Sequence, residues 1–200
     1  MKKLILPLVC LSLFFSCAKD GDSSNEENST NIPSNYVLYN SAYYDLGGPC
    51  VIEDYGQWDS DLYNLDLVMA SPNMYFDGEY LETIDTLSDD HQLYFELFTS
   101  QTMLNSGEYN FNSVASPMTY DIGQFTRFNS QEDLYDEVDF EGTVTLDVNV
   151  ANSSITVDLD GFIDENNAIS AHWEGSYNYS DYSELSNTEQ EFKKKKQANL

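Results

Sequence analysis

Positive charge is nearly missing from this sequence. Eight lysines and arginines stand against 35 aspartates and glutamates, and Arg127 is the only basic residue between Lys19 and Lys193. Such a balance argues against a nucleic-acid partner, whose phosphates have to be neutralised by Lys and Arg. It argues equally against adsorption to anionic lipid head groups. Cysteine is scarce too. Cys10 lies in the N-terminal apolar run and Cys17 just after it, which leaves Cys50 in "DLGGPCVIEDYG" alone in the body, without an expected intrachain disulfide partner. The two histidines, His91 and His172, belong to no H-E-x-x-H or similar metal spacing, and there is no G-x-S-x-G elbow or phosphate loop. A non-enzymatic protein is therefore expected. The longest apolar run, Leu4 to Phe15, covers roughly 12 residues where a permanent transmembrane helix needs about 20.

That run has another use. Lys2 and Lys3 precede it and polar residues follow at once, the layout of a secretory signal. Residues 13–17, "LFFSC", place a small serine directly before Cys17 and resemble the cleavage box of bacterial lipoproteins. The resemblance implies that residues 1–16 are removed and that Cys17 becomes the lipidated first residue. Two or three acyl chains, palmitate among them, suffice for stable anchoring at about 0.8 kcal/mol per buried CH₂. Residues 17–35 are rich in Ser, Asn, Asp and Glu with almost no apolar side chain, so they read as a disordered tether. The compact run Lys193–Lys196 marks residues 186–200 as a flexible Lys-rich tail.

Between tether and tail, residues 36–185 are long enough for one domain with a real core. Period-two alternation dominates the second half. Val144, Leu146 and Val148 alternate with Thr145 and Asp147; Ile155, Val157 and Leu159 with Thr156 and Asp158; Ile169, Ala171 and Trp173 with Ser170 and His172. These are half-buried strands, expected to pair antiparallel as a three-strand meander over residues 142–180. "NYVLYNSAYY", "LYNLDLVMA", "HQLYFELFTS", "GEYNFNS" and "TYDIGQFTRF" add further strands, and in the third both faces carry apolar residues. "SQEDLYDEVDF" fits one or two helical turns or an acidic loop. The expectation is an all-β, single antiparallel, meander-rich domain of 8–9 strands. A lipocalin-like barrel is favoured over a two-sheet β-sandwich, because closure removes exposed edges.

The leader with its acidic, Asn/Ser-rich tether resembles outer-membrane and surface lipoproteins of the Bacteroidetes, some of which have lipocalin-like (calycin-like) barrels. In the body the similarity rests on Ser106, Gly107 and Tyr109, on Gly142 to Leu146, and on Gly175 and Tyr177. It implies an outer-membrane location. The acids just after Cys17 resemble a surface-export signal, which favours the cell surface over the periplasmic face.

Two clusters are candidates for binding. Tyr43, Tyr44, Tyr55 and Trp58 gather in "YYDLGGPCVIEDYGQW", where aromatic faces beside carboxylates suit a sugar or a protein partner. Asp158, Asp160, Asp164 and Glu165 in "DLDGFIDENN" offer hard oxygens to calcium, though without EF-hand spacing. The expected function is non-catalytic binding of a small hydrophobic molecule, a glycan or an envelope protein. An inert structural surface component, or a low-affinity calcium-binding module, is the alternative. No cofactor other than calcium is expected. The acidic surface is explained equally by solubility in a salty medium, which screens self-repulsion over about 8 Å at 0.15 M.

Overall fold

The computed structural model describes residues 32–84, 89–129 and 134–185. The leader, Cys17, most of the tether and the Lys-rich tail lie outside the described residues. The body is all β. β1 (Tyr36–Tyr39) and β2 (Ala42–Asp45) form a hairpin closed by Asn40 and Ser41, with φ of 50° and 62°. Two left-handed residues are what a tight two-residue hairpin needs. β3 (Cys50–Asp59), β4 (Leu62–Ala70), the short β5 (Met74–Phe76) and β6 (Leu81–Thr83), and β7 (Asp90–Thr99) follow. The chain continues through β8 (Gly107–Phe111), β9 (Thr119–Asn129), β10 (Leu134–Asp139) and β11 (Glu141–Asn149). A short 3-10 turn, Val150–Asn152, leads to β12 (Ser154–Asp164) and the long β13 (Asn167–Asp181).

Eleven strands make one sheet and β5–β6 make a second. The large sheet runs β12-β11-β8-β9-β7-β4-β3-β13, and β12 pairs β13 as well, so these eight strands pair in a ring. The meander expected over residues 142–180 is present, with Val144 opposite Leu159 and Leu159 opposite Ala171. The lipocalin-like barrel is not. In an up-and-down barrel each strand pairs antiparallel with its neighbour in the chain. Here β13 runs parallel to β3, with Tyr177 opposite Cys50, and β8 runs parallel to β9, with Asn110 opposite Thr119. Among the described residues there are also thirteen strands rather than 8–9. Alternation reports which face of a strand is buried, and says nothing of which strand lies beside it.

All eight ring strands contribute to one apolar cluster, including Leu67, Phe95, Tyr109, Phe125, Val144, Val157 and Trp173. Aromatic rings fill it: Phe95 and Tyr120 meet edge to face at 5.5 Å, as do Phe95 and Phe140. A smaller cluster on the other face joins Val51, Val68 and Ala70 to Met74 and Leu81 of the second sheet. That explains why β3, β4 and β7 are apolar on both faces.

Two segments that alternation does not mark as strand are strands. The "SQEDLYDEVDF" segment is strand β10 over Leu134–Asp139, paired with β9. The stretch after Gly48 is strand too, since Val51 and Ile52 bury into opposite clusters and so hide the alternation.

Candidate functional site

Among the described residues β2 ends the large sheet and pairs only with β1. Its residues Tyr43, Tyr44 and Asp45 border a pocket of about 260 Å³ together with Asp89, Asp90, His91, Arg127 and Phe128. The register opposing His91 to Arg127 on β7 and β9 brings the latter two side by side. Tyr44 sits at the centre. Its ring contacts His91 at 5.6 Å and Phe125 at 5.2 Å, and the Arg127 guanidinium lies 4.8 Å above its centroid. A cation over a tyrosine face is attracted by the ring quadrupole. Arg127 also reaches Asp136 at 3.5 Å, where β10 pairs with β9. Tyr43 is 37% exposed and is held edge-on against Tyr36 at 5.1 Å.

The polar groups are tightly placed. His91 Nε2 lies 2.6 Å from the backbone oxygen of Asp45. A carbonyl oxygen only accepts, so Nε2 carries the proton and donates. Burial lowers the His91 pKa, the Asp45 carbonyl and the Asp90 and Asp45 charges oppose that shift, and Arg127 adds to it. Asp90 is buried and accepts from Ser71 Oγ at 3.2 Å and Asn73 Nδ2 at 3.0 Å. The pocket thus offers ring faces, carboxylate acceptors and the guanidinium fork. Ring faces can stack on a flat ligand, carboxylates accept hydrogen bonds and a guanidinium donates them.

The other two aromatics of the sequence cluster lie elsewhere. Tyr55 is buried, donates to Glu53 Oε2 at 2.9 Å and packs on Tyr182 at 5.7 Å. Trp58 is 61% exposed and meets Phe98 edge to face, with ring centroids 5.9 Å apart. Cys50 is buried within the core, and burial pushes its thiol pKa far up.

The acidic stretch extends along β12 into its turn. Asp158 and Asp164 are six residues apart on a strand, roughly 20 Å at about 3.3 Å per residue. Asp158 Oδ1 lies 2.7 Å from His172 Nδ1, and Asp160 is solvent-facing opposite Ser170. Asp164 closes the β12–β13 turn by accepting from the Asn166 and Asn167 backbone amides at 2.8 and 3.1 Å. The Asn166 amide first, then the Asn167 side-chain amide at 2.7 Å and the Asn167 backbone, hold its carboxyl below the usual range against a small opposing effect of burial. Glu165 is exposed in the turn. Among the described residues no group of three or more His, Cys, Asp or Glu is arranged to hold a metal ion.

Sequence reasoning found Tyr43 and Tyr44 but missed Asp45, Asp89, Asp90, His91 and Arg127 as their companions. One signal was available. Arg127 stands alone among acids, and alternation in "QFTRF" sets it on the same face as Phe125, a core residue. Compared with known protein families, curated proteins and solved structures, the chain matches none of them.

Proposed function

We propose that this is a non-catalytic envelope lipoprotein that captures a glycan in the Tyr43–Tyr44 pocket. The observation that carries the reading is the convergence of both tyrosines, three aspartates and Arg127 on one small depression. A sugar ring would stack on the exposed Tyr43, while its hydroxyls donate to Asp45 and Asp89 and accept from Arg127. The volume of about 260 Å³ lies just below the range typical of drug-sized ligands, which suits one ring at the end of a chain. The filled aromatic core gives a small hydrophobic ligand less support than a glycan. The leader ending in Cys17 supports anchoring at the outer membrane, with the cell surface favoured over the periplasmic face.

A glycan array probed with the mature chain tests the proposal. A defined set of glycans is expected to bind, with Tyr43→Ala and Arg127→Gln each weakening capture by about tenfold or more, as for residues at the centre of a contact. Trp58→Ala leaves capture unchanged. Loss on Trp58→Ala alone would remove the site from this pocket, and binding of no glycan would remove the function.

A further inference from the structure

The outer face of the large sheet turns from apolar to charged along three neighbouring strands. Val51 on β3, Val68 on β4 and Tyr94 on β7 pack with the second sheet. Two residues along each strand, and so on the same face, stand Glu53, Asp66 and Glu96. Register sets Glu53 opposite Asp66 and Asp66 opposite Glu96, and all three are buried. Two strand spacings make this row about 10 Å wide. Buried carboxylates side by side repel unless positive charge or protons offset them. Tyr55 donates to Glu53 at 2.9 Å and Tyr94 to Asp66 at 2.8 Å, but a phenol brings no charge. None of the three carboxylates lacks a partner. β3, β4 and β7 contain no lysine or arginine, and Arg127 is committed to Tyr44 and Asp136.

The end of the described chain arrives at this row. β13 runs beside β3 and sets Ser180 opposite Glu53. Tyr182 follows and packs on Tyr55 at 5.7 Å. Its backbone amide donates to the Asp54 carbonyl at 2.7 Å, and its hydroxyl to the Glu79 carbonyl at 3.1 Å. Tyr182 is thereby pinned between β3 and the β5–β6 turn, on the outer face. Leu185 then donates its amide back to the Tyr182 carbonyl at 3.0 Å. Lys193 is eight positions further on, a reach of up to about 28 Å at about 3.5 Å per residue, which is ample for the row. Lys193–Lys196 carry all the positive charge that follows Arg127 in the sequence.

We propose that the segment Lys193–Lys196 folds back onto this face and sets its ammonium groups against Glu53, Asp66 and Glu96, clasping the end of the chain to β3, β4 and β7. Lysine suits the place, because its long apolar stem covers sheet surface while the head reaches a carboxylate. Four cations meet three anions within a few residues of chain, after β13 has delivered that chain to the right edge. The clasp supplies charge where the tyrosines supply only hydrogen bonds.

Nitrogen-15 relaxation of the full mature chain reads the clasp directly. Backbone order parameters of Lys193–Lys196 are expected above about 0.6, and values below that would overturn the proposal. Amide shifts locate it. Lys193→Gln, Lys194→Gln, Lys195→Gln and Lys196→Gln combined in one chain should move the amides of Glu53, Asp66 and Glu96 and lower the midpoint of urea unfolding. No movement at those three amides, or movement as large at the exposed Asp158 and Asp160 of β12, would overturn it. Should the fourfold variant fail to fold, the wild-type order parameters decide alone.

Discussion

His91 shows how a single side chain ties the pocket to the stability of the fold. In the unfolded chain its pKa is near the ordinary 6.5, and burial lowers it in the folded state. The folded protein therefore binds fewer protons than the unfolded one between those two values. Stability contributed by neutral His91 is complete above pH 6.5 and is lost as pH falls through the window down to the lowered value. The groups facing the ring are Asp45 on β2, Asp90 on its own strand and Arg127 on β9, with the carboxylates opposing the shift and Arg127 adding to it. His91→Gln keeps an N–H able to reach the Asp45 carbonyl but cannot titrate. Denaturant unfolding should show the wild type losing stability relative to His91→Gln as pH drops below 6.5. Parallel curves for the two proteins would contradict a lowered pKa. Trp173 makes a different residue-scale point: its alternation was plain, but its indole donating to the Leu46 carbonyl at 2.9 Å joins residues 127 apart in sequence.

At the scale of elements, register places like charges in a row. Glu53 lies opposite Asp66, and Asp66 opposite Glu96, across β3, β4 and β7, all three buried. Facing carboxylates repel, and each needs donors. Tyrosines supply some of them. Tyr55 donates to Glu53, and Tyr94 donates to Asp66 Oδ2 at 2.8 Å; burial, then the nearby carboxylates, keep both phenols protonated. Tyr94→Phe removes one such bond while keeping the ring, and should destabilise the domain by about 1.5–3 kcal/mol. Urea unfolding would measure it, and a change below about 0.5 kcal/mol, the level of an ordinary surface substitution, would show that the bond carries little. This row also marks the limit of what the sequence discloses. Period-two alternation made β11, β12 and β13 legible, because each has one wet and one dry face. β3, β4 and β7 carry apolar side chains on both faces, one covered by the second sheet, so their pattern is flat. β10 alternates weakly among acids and borrows its order from β9. The parallel pairing of β13 with β3 joins distant segments, and that of β8 with β9 departs from the antiparallel arrangement expected of successive strands, so alternation discloses neither. The pocket was half legible for the same reason: Tyr43 and Tyr44 stand together in the chain, whereas His91 and Arg127 join them only through strand pairing.

For the molecule as a whole, the leader and the body make separable claims. Cys17→Ser should abolish lipid labelling and release the protein from the membrane fraction, whereas unchanged membrane attachment would contradict lipidation. The large negative charge keeps the body hydrated and repels anionic surfaces. Arg127 then stands out as the single guanidinium within an acidic domain, and it is placed over a tyrosine ring beside the exposed end of the sheet. The most direct test of glycan capture is to map the amide shifts of the mature chain during titration with the strongest glycan from an array. The account predicts saturable shifts confined to Tyr43, Tyr44, Asp89, His91 and Arg127. Shifts centred on Trp58, with the Tyr43–Tyr44 pocket silent, would contradict it.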